Sequence, residues 1–301
     1  MINIFNIIQC YKNKDEKSLS EFNKTVKKLG VSNIFNPSFY IEDDLKVFTF
    51  RAIKNGEKNI SSFVLIKDGQ NEKIINLSNE YSEKLRVKQL IDPKVLKLDN
   101  ELYITFNSGW NPEGNSIFIM KIYPLIESPK CIIYNKRNEQ ERNWAFFYDD
   151  KEIYALYWLN PLKILRLKNE NQDSWEFEDY YSKNKIARNT PKDLTIGTQL
   201  YKEKDKYYFV AHKKITILRK KVYFGKFCSF DFNNKKIKYS KKWLIHSFRS
   251  LLGSKIKHNT NLFSCTYFSG LQVFNDNVML GYGINDTEED FSEFKIKELV
   301  D

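Results

Sequence analysis

The chain is poor in the residues that most often mark a site. It has three histidines, His212, His246 and His258, and four cysteines, Cys10, Cys131, Cys228 and Cys265, among 301 residues. No two cysteines form a CxxC pair and the histidines are scattered, so no zinc site, other metal site or cofactor is expected. Apolar runs are also short. None approaches the ~20 residues that a membrane-spanning helix needs. The start, Met1-Ile2-Asn3-Ile4-Phe5, lacks the basic segment, long apolar stretch and small-residue cleavage site of a secretory signal. The expected address is cytoplasmic, where the four thiols stay reduced. Arginine is scarce as well, supplying 8 of the 49 basic residues, which outnumber the 38 acidic ones to give a net charge of +11. The excess is mostly lysine and is spread along the chain. That argues against nucleic acid as a partner and for anionic small molecules such as sugar phosphates and sugar nucleotides.

What the chain has is aromatic and β-branched residues. Aromatics make up 15%, with 23 Phe and 18 Tyr, against only 11 Gly and 7 Pro. They fall in short runs, which is a strand signature. Five segments share one pattern of a strand, a polar turn and an aromatic-rich strand. Their strands lie at 36–41 and 45–50, 92–96 and 102–106, 143–147 and 153–158, 196–200 and 207–210, and 268–273 and 278–282. The turn residues Asp44, Asn100, Asp150, Asp205 and Asp276 are 56, 50, 55 and 71 positions apart. A repeat of about this length, holding some four strands, predicts a propeller blade. The expected fold is therefore an all-β five-bladed β-propeller over 31–301, with outer strands such as 61–67, 116–122 and 163–167. The lysine-rich stretch 233–261 reads as an insertion.

Residues 1–30 read as a strand and a helix that pack on this propeller. The helix opens at Ser18-Leu19-Ser20-Glu21 and presents Leu19, Phe22, Val26 and Leu29 on one face before Gly30 stops it. A first strand at 3–8 is expected to close the ring against the last blade.

Blades around an axis bring the starts of their innermost strands to one mouth of the central channel. Those starts contain Asn36-Pro37-Ser38, Asp92-Pro93-Lys94, Glu141-Arg142-Asn143-Trp144, Gly197-Thr198 and Ser269-Gly270. Arg51, Asn107, Asn160, His212 and Asp286 follow the second strands.

The pattern resembles the inverting β-mannoside phosphorylases and their hydrolase relatives, over roughly residues 36–298. Phe48-Thr49-Phe50-Arg51-Ala52 is similar to the family's Tyr-Arg-Ala, and Ile91-Asp92-Pro93-Lys94 to its Glu-Asp-Pro-Arg. Arg142-Asn143-Trp144-Ala145-Phe146-Phe147 is similar to its Lys-Asn-x-Ala-Leu-Phe. Gly197-Thr198 with Val210-Ala211-His212 resembles Gly-Ser-Pro and Tyr-His-Gly, and Tyr223-Phe224-Gly225 resembles Tyr-Arg-x-Gly. Phe268-Ser269-Gly270 and the stretch Gly281 to Thr287 resemble Phe-Pro-x-Gly and Tyr-Gly-Ala-Ala-Asp-Thr.

The resemblance implies that Asp92 is the proton donor to the leaving glycosidic oxygen, by way of a sugar hydroxyl. A carboxyl donates only while protonated, and loss of hydration favours that form. It further implies sugar contacts at Asn36, Arg51, Asn107, Asn143, Trp144 and Asp286, and phosphate contacts at Arg51, Lys94, Arg142, His212 and Tyr223. Trp144 and Trp158 are candidate platforms for sugar faces. The chain departs from the family where its His-Arg-Pro becomes Leu159-Asn160-Pro161, and where Lys94 stands for an arginine. Lysine loses the bidentate grip on an oxyanion.

The sequence therefore points to an enzyme that acts on glycosidic bonds by inversion, as a phosphorylase, a mannosyl-type transferase or a hydrolase. Its substrate would be an oligosaccharide, a sugar phosphate or a sugar nucleotide. Glu141 is the best-placed second carboxylate. A non-catalytic glycan-binding propeller is the alternative, and a scaffold using the lysine runs at 213–221 and 235–242 is a third reading.

Overall fold

A computed structural model describes residues 6–55, 59–141, 143–183, 193–252 and 261–300. Strand β1 (Ile7–Gln9) and helix α1 (Glu16–Val26) come first. Five antiparallel meanders follow among the described residues. The first is β2 (Val31–Glu42), β3 (Leu45–Lys54), β4 (Ile60–Asp68) and β5 (Asn71–Asn76). After the short α2 (Leu77–Tyr81) the second is β6 (Ile91–Leu98), β7 (Glu101–Asn107), β8 (Ile117–Tyr123) and β9 (Lys130–Ile133). The third is β10 (Ala145–Asp149), β11 (Glu152–Leu159), β12 (Leu162–Glu170) and β13 (Ser174–Ser182).

The fourth is broken on both sides. Strands β14 (Leu194–Ile196) and β15 (Tyr201–Glu203) share the inner edge of β16 (Lys206–Ile217). Strand β17 (Lys220–Asp231) then carries β18 (Lys236–Tyr239) and β19 (Trp243–Ile245). The fifth is β20 (Leu262–Phe274), β21 (Asn277–Ile284) and β22 (Glu288–Lys295), followed by α3 (Ile296–Val300).

The turns explain how so few glycines suffice. Asp43, Asp99, Asp150 with Lys151, Lys204, and Asn275 with Asp276 hold φ between 46° and 63° at the tips of the five inner hairpins. Short Asp and Asn side chains tolerate this left-handed region better than other non-glycine residues do, and two successive positive φ values match the twist of a two-residue hairpin.

The core consists of five hydrophobic clusters, each lying between two successive meanders. Val47, Val64, Ile104 and Met120 join the first to the second. Ile119, Phe146, Leu165 and Trp175 join the second to the third. Phe147, Ile164, Phe209 and Phe224 join the third to the fourth, and Val210, Phe227, Phe268 and Leu280 the fourth to the fifth. The last cluster closes the ring: Phe39, Phe48, Phe50 and Phe63 of the first meander meet Phe291 of the fifth, and Phe22 and Val26 of α1 wedge into the junction. The architecture is all-β and of the propeller type, with one short helix near the N-terminus.

The start of β20 pairs in parallel with β17, matching Lys221 with Leu262 and Tyr223 with Cys265, and elsewhere side chains from neighbouring meanders satisfy the inner edges. Ser38 Oγ accepts from the Val95 N–H at 3.0 Å and Thr49 donates to the Pro93 carbonyl at 2.8 Å. Gln199 accepts from the Phe146 N–H at 2.9 Å and donates to the Trp144 carbonyl at 3.0 Å. Gln272 brackets Ile41 in the same way, at 2.9 and 2.6 Å. Buried backbone groups are thereby paired without a strand-to-strand ladder.

The N-terminal segment differs from expectation. Helix α1 begins earlier than Ser18, because the Asp15 carboxylate caps it by accepting from the Ser18 N–H at 3.0 Å. Strand β1 does not join the last meander. It runs parallel to β19 of the fourth, pairing Ile7 with Trp243 and Gln9 with Ile245. The link to the fifth meander comes later, where Lys14 bridges Ser292 and the Asp15 N–H donates to the Phe291 carbonyl at 2.9 Å. Residues 3–5 of the expected strand lie outside the described residues. Among the described residues no helix is long and apolar enough to cross a membrane.

Candidate functional site

The starts of the innermost strands are irregular in the same way. Register shifts interrupt β2 between Phe35 and Ser38, β6 between Ile91 and Lys94, and β20 between Phe268 and Gly270. The residues at the breaks take left-handed backbone: Asn36 has φ 54°, Asp92 52° and Asn143, just before β10, 64°. Bulges of this kind re-aim a side chain. In the fourth meander the inner edge breaks at Gly197, where a Cβ would lie 2.5 Å from the Val210 carbonyl oxygen and 2.8 Å from His212 Nε2. Only glycine lets the backbone pass so close to the histidine.

These ends surround a cavity of about 470 Å³. Its lining includes Asp92, Glu141, Asn143, Trp144, Tyr157, Trp158, Asp193, His212, Lys214, Tyr223 and Tyr267, from the second to fifth meanders. A second cavity of about 450 Å³ occupies the other ends of the same strands, among Tyr40, Lys97, Tyr148, Lys202 and Tyr207.

Asp92 has its carboxylate 3.4 Å from Arg51 Nη1, and both side chains are largely buried. Arg51 reaches it from the first meander, its guanidinium 5.0 Å above the Phe35 ring and off the cavity lining. Lys94 sits below the cavity floor, 2% exposed. Its Nζ donates to Asn143 Oδ1 at 2.7 Å and to the Gly197 carbonyl, and lies 5.4 Å from the Tyr267 ring centre. One ammonium thus joins four meanders. Burial pushes it down from 10.5 to about 8, partly offset by the charge of Asp92.

His212 is 1% exposed and its Nε2 accepts from the Phe268 N–H at 2.9 Å. Burial first, and then the Lys94 charge, lower its imidazole to about 3. The ring is neutral near pH 7 and offers an anion no charge. Tyr223 stands beside it, 6.4 Å between ring centres.

The Tyr267 ring leans on His212 at an interplanar angle of 46°, with ring centres 4.5 Å apart, and its hydroxyl donates to Asn143 Oδ1 at 3.2 Å. Trp144 is buried. Its indole N–H donates to Glu141 at 3.1 Å and its ring meets Tyr157 edge-on at 5.0 Å, so only its rim reaches the cavity. Glu141 is held by Asn138, Trp144, Tyr157 and Arg137. Trp158, 43% exposed, offers the cavity an open ring.

The remaining expected residues lie around this centre. Asn107 is buried and accepts from the Gly109 N–H at 2.9 Å. It borders a small crevice with Asp92, Lys94 and Asn143 rather than the main cavity. Asn36 is buried against Gly283, and its Oδ1 has no hydrogen-bond partner among the described residues. Asp286 and Asp92 together raise the buried Cys265 thiol, after burial itself, which sets both carboxylates near that sulfur. Arg142 lies outside the described residues. Among the described residues no group of three or more His, Cys, Asp or Glu side chains is arranged to hold a metal ion.

Sequence reasoning missed Tyr267, Tyr157, Asp193 and Lys214. A signal existed for Lys214, which is two residues beyond His212 on one strand and therefore on the same face.

No family model and no curated protein sequence matches the chain. Solved structures do. A β-1,2-mannobiose phosphorylase of Listeria innocua aligns with a TM-score of 0.56 at 13% identity, covering 89% of this chain and 91% of that one. A glycosyl hydrolase of Bacteroides ovatus aligns at 0.56 and 12% identity, covering 88% and 85%. A structure from the GH130 family of mannoside phosphorylases, which contains glycoside hydrolases that target β-1,2 mannosidic linkages in Candida mannan, aligns at 0.57 and 15% identity, covering 88% and 85%. At these identities the likeness is one of fold.

Proposed function

We propose that the protein is a carbohydrate-active enzyme that breaks or forms glycosidic bonds of the β-mannoside type with inversion, and that its ring of five meanders is a five-bladed propeller of the mannoside phosphorylase kind. The observation that carries this reading is the convergence of Asp92, Asn143, Tyr223, Tyr267 and Trp158 on one cavity. An acid, hydrogen-bonding groups and an open indole ring are what a sugar and its leaving oxygen require.

In this mechanism the Asp92 carboxyl gives its proton, through a sugar hydroxyl, to the glycosidic oxygen. The C1–O bond breaks and the leaving sugar departs as an alcohol. An oxygen nucleophile forms the new bond to C1 on the opposite face. Glu141 is spent on holding Asn138, Trp144 and Tyr157, which supports a nucleophile that needs no carboxylate base, namely phosphate or a sugar hydroxyl, over water. Asp92 stands in an ion pair with Arg51 at 3.4 Å.

The same ion pair favours a second reading, a glycan-binding propeller without catalysis. A screen of β-mannosides with phosphate, mannose 1-phosphate and sugar nucleotides, run with wild type and Asp92→Asn, separates the two. Turnover lost in the variant is the expected result. Equal turnover in both sinks Asp92 as the donor, and glycan binding without any turnover favours the second reading.

A further inference from the structure

The wall that the fourth meander gives to the cavity has an ordered face. In the β16–β17 ladder His212 pairs with Gly225, Lys214 with Tyr223 and Thr216 with Lys221. Opposed residues of an antiparallel pair share a face, and so do residues two apart. His212, Lys214 and Thr216 therefore stand with Lys221, Tyr223 and Gly225 on one surface. His212, Lys214 and Tyr223 line the cavity, so the Thr216–Lys221 pair continues the wall outward. Exposure rises along it, from buried His212 to exposed Lys214.

The charges on this cavity do not balance locally. Each carboxylate on its lining already has a cation: Asp92 has Arg51 at 3.4 Å, Glu141 has Arg137 at 3.7 Å and Asp193 has Lys213 at 3.0 Å. Lys214 and Lys221 have no carboxylate within 4.0 Å among the described residues. They occupy diagonal positions of the ladder, roughly 7–8 Å apart at the backbone. Two lysines without a carboxylate partner thus share the strand face that also presents the Tyr223 ring, and an anionic group bound there would offset their charge.

We propose that this wall is an anion subsite, and that the carbohydrate taken by the cavity carries its own negative charge, a phosphoryl or carboxylate group, away from the bond that reacts. The proposal rests on the carbohydrate reading above and narrows its substrate to acidic sugars.

The test is titration calorimetry with mannose 6-phosphate, a mannuronic acid disaccharide, β-1,2-mannobiose and inorganic phosphate as separate probes. Wild type is compared with Lys214→Ala/Lys221→Ala and with Lys236→Ala/Lys238→Ala, which removes the same charge from β18. The cavity variant is expected to bind at least one acidic sugar about tenfold more weakly, to bind mannobiose unchanged, and to show a shallower salt dependence. The β18 variant is expected to match wild type. Which acidic sugar loses affinity tells a phosphoryl group from a carboxylate. An unchanged preference for the acidic sugars in the cavity variant overturns the proposal, and so does tighter binding of the neutral disaccharide by wild type. Inorganic phosphate binding as tightly as the acidic sugars, with the same dependence on the two lysines, also overturns it, because the anion is then free phosphate. If no sugar binds in any arm, the carbohydrate reading falls as well. Mannobiose binding without an acidic preference overturns the anion subsite alone.

Discussion

Lys94 Nζ lies 2.7 Å from Asn143 Oδ1, across the junction of the second and third meanders. The same ammonium donates to the Gly197 carbonyl of the fourth. Replacing it with methionine keeps the volume and strands the Gly197 carbonyl, while Asn143 Oδ1 keeps the Tyr267 hydroxyl. Lys94→Met should lower stability by about 1–3 kcal/mol in urea unfolding. In wild type the folded state holds this proton less tightly than the unfolded chain does, since the group falls from 10.5 to about 8. The Lys94 contribution to stability therefore grows between about pH 8 and pH 10, and the variant should lack it. Lys226, lowered likewise to about 8, adds to the slope in both proteins, while the thiols of Cys10, Cys228 and Cys265, all raised by burial, pull it the other way in both. Identical slopes in the two proteins would remove Lys94 from its buried position.

His212 makes the matching prediction in acid. Its ring falls from 6.5 to about 3, so between those values the unfolded chain binds the extra proton. The contribution is fully present above 6.5 and is lost as pH drops toward 3. His212→Gln keeps an acceptor for the Phe268 N–H and cannot titrate. Unfolding midpoints at pH 7 and pH 4.5 should differ less in this variant than in wild type.

Glu289 works in the opposite direction. Burial, reinforced by Asp290 and Glu288, raises its carboxyl from 4.5 to about 7. The folded state favours the proton, so this stability is complete below 4.5 and disappears as pH passes 7. Glu289→Gln should stabilise the protein by roughly 1–2 kcal/mol at pH 8, after allowance for partial exposure, and should have no such effect at pH 4. A gain of equal size at both values would show that the carboxyl is not the cause.

The two tryptophans at the cavity separate packing from binding. Trp144 is buried among Tyr134, Tyr157 and Phe177. Trp144→Ala should cost about 3–5 kcal/mol of stability. Trp158 is open to the cavity, and Trp158→Ala should leave the unfolding midpoint within about 0.5 kcal/mol while weakening binding of a mannoside several-fold in calorimetry. A Trp158→Ala protein with full affinity would show that the ring is no sugar platform.

The meanders were legible because the turn chemistry repeats. Asp43, Asp99, Asp150 and Asp276 all sit in left-handed turns, and this local preference survives in any context. Outer strands β4, β8 and β12 fall where the aromatic and aliphatic runs predict them. The partner of β1 was not legible, since Ile7–Gln9 has the same composition whether it pairs with β19 or β22. That choice depends on how the ring closes. At the site, residue types could be read and their states could not. Lys94 reads as a phosphate ligand, but the structure buries its ammonium beneath the floor, because Asn143 and Gly197 arrive there from distant repeats. Tyr267 precedes the Phe268-Ser269-Gly270 motif and carries no signal of its own. Its role arises from the bulge that turns it toward His212.

The side-chain seals on the inner edges also bear on how the molecule comes apart. Gln199, Gln272, Ser38 and Thr49 each belong to one meander and satisfy the backbone of another. Detaching a single meander leaves bare strand margins on its neighbours, which are templates for self-association. Partial opening is therefore penalised twice, by lost bonds and by stickiness, and the ring should melt in one step rather than shed its units in turn.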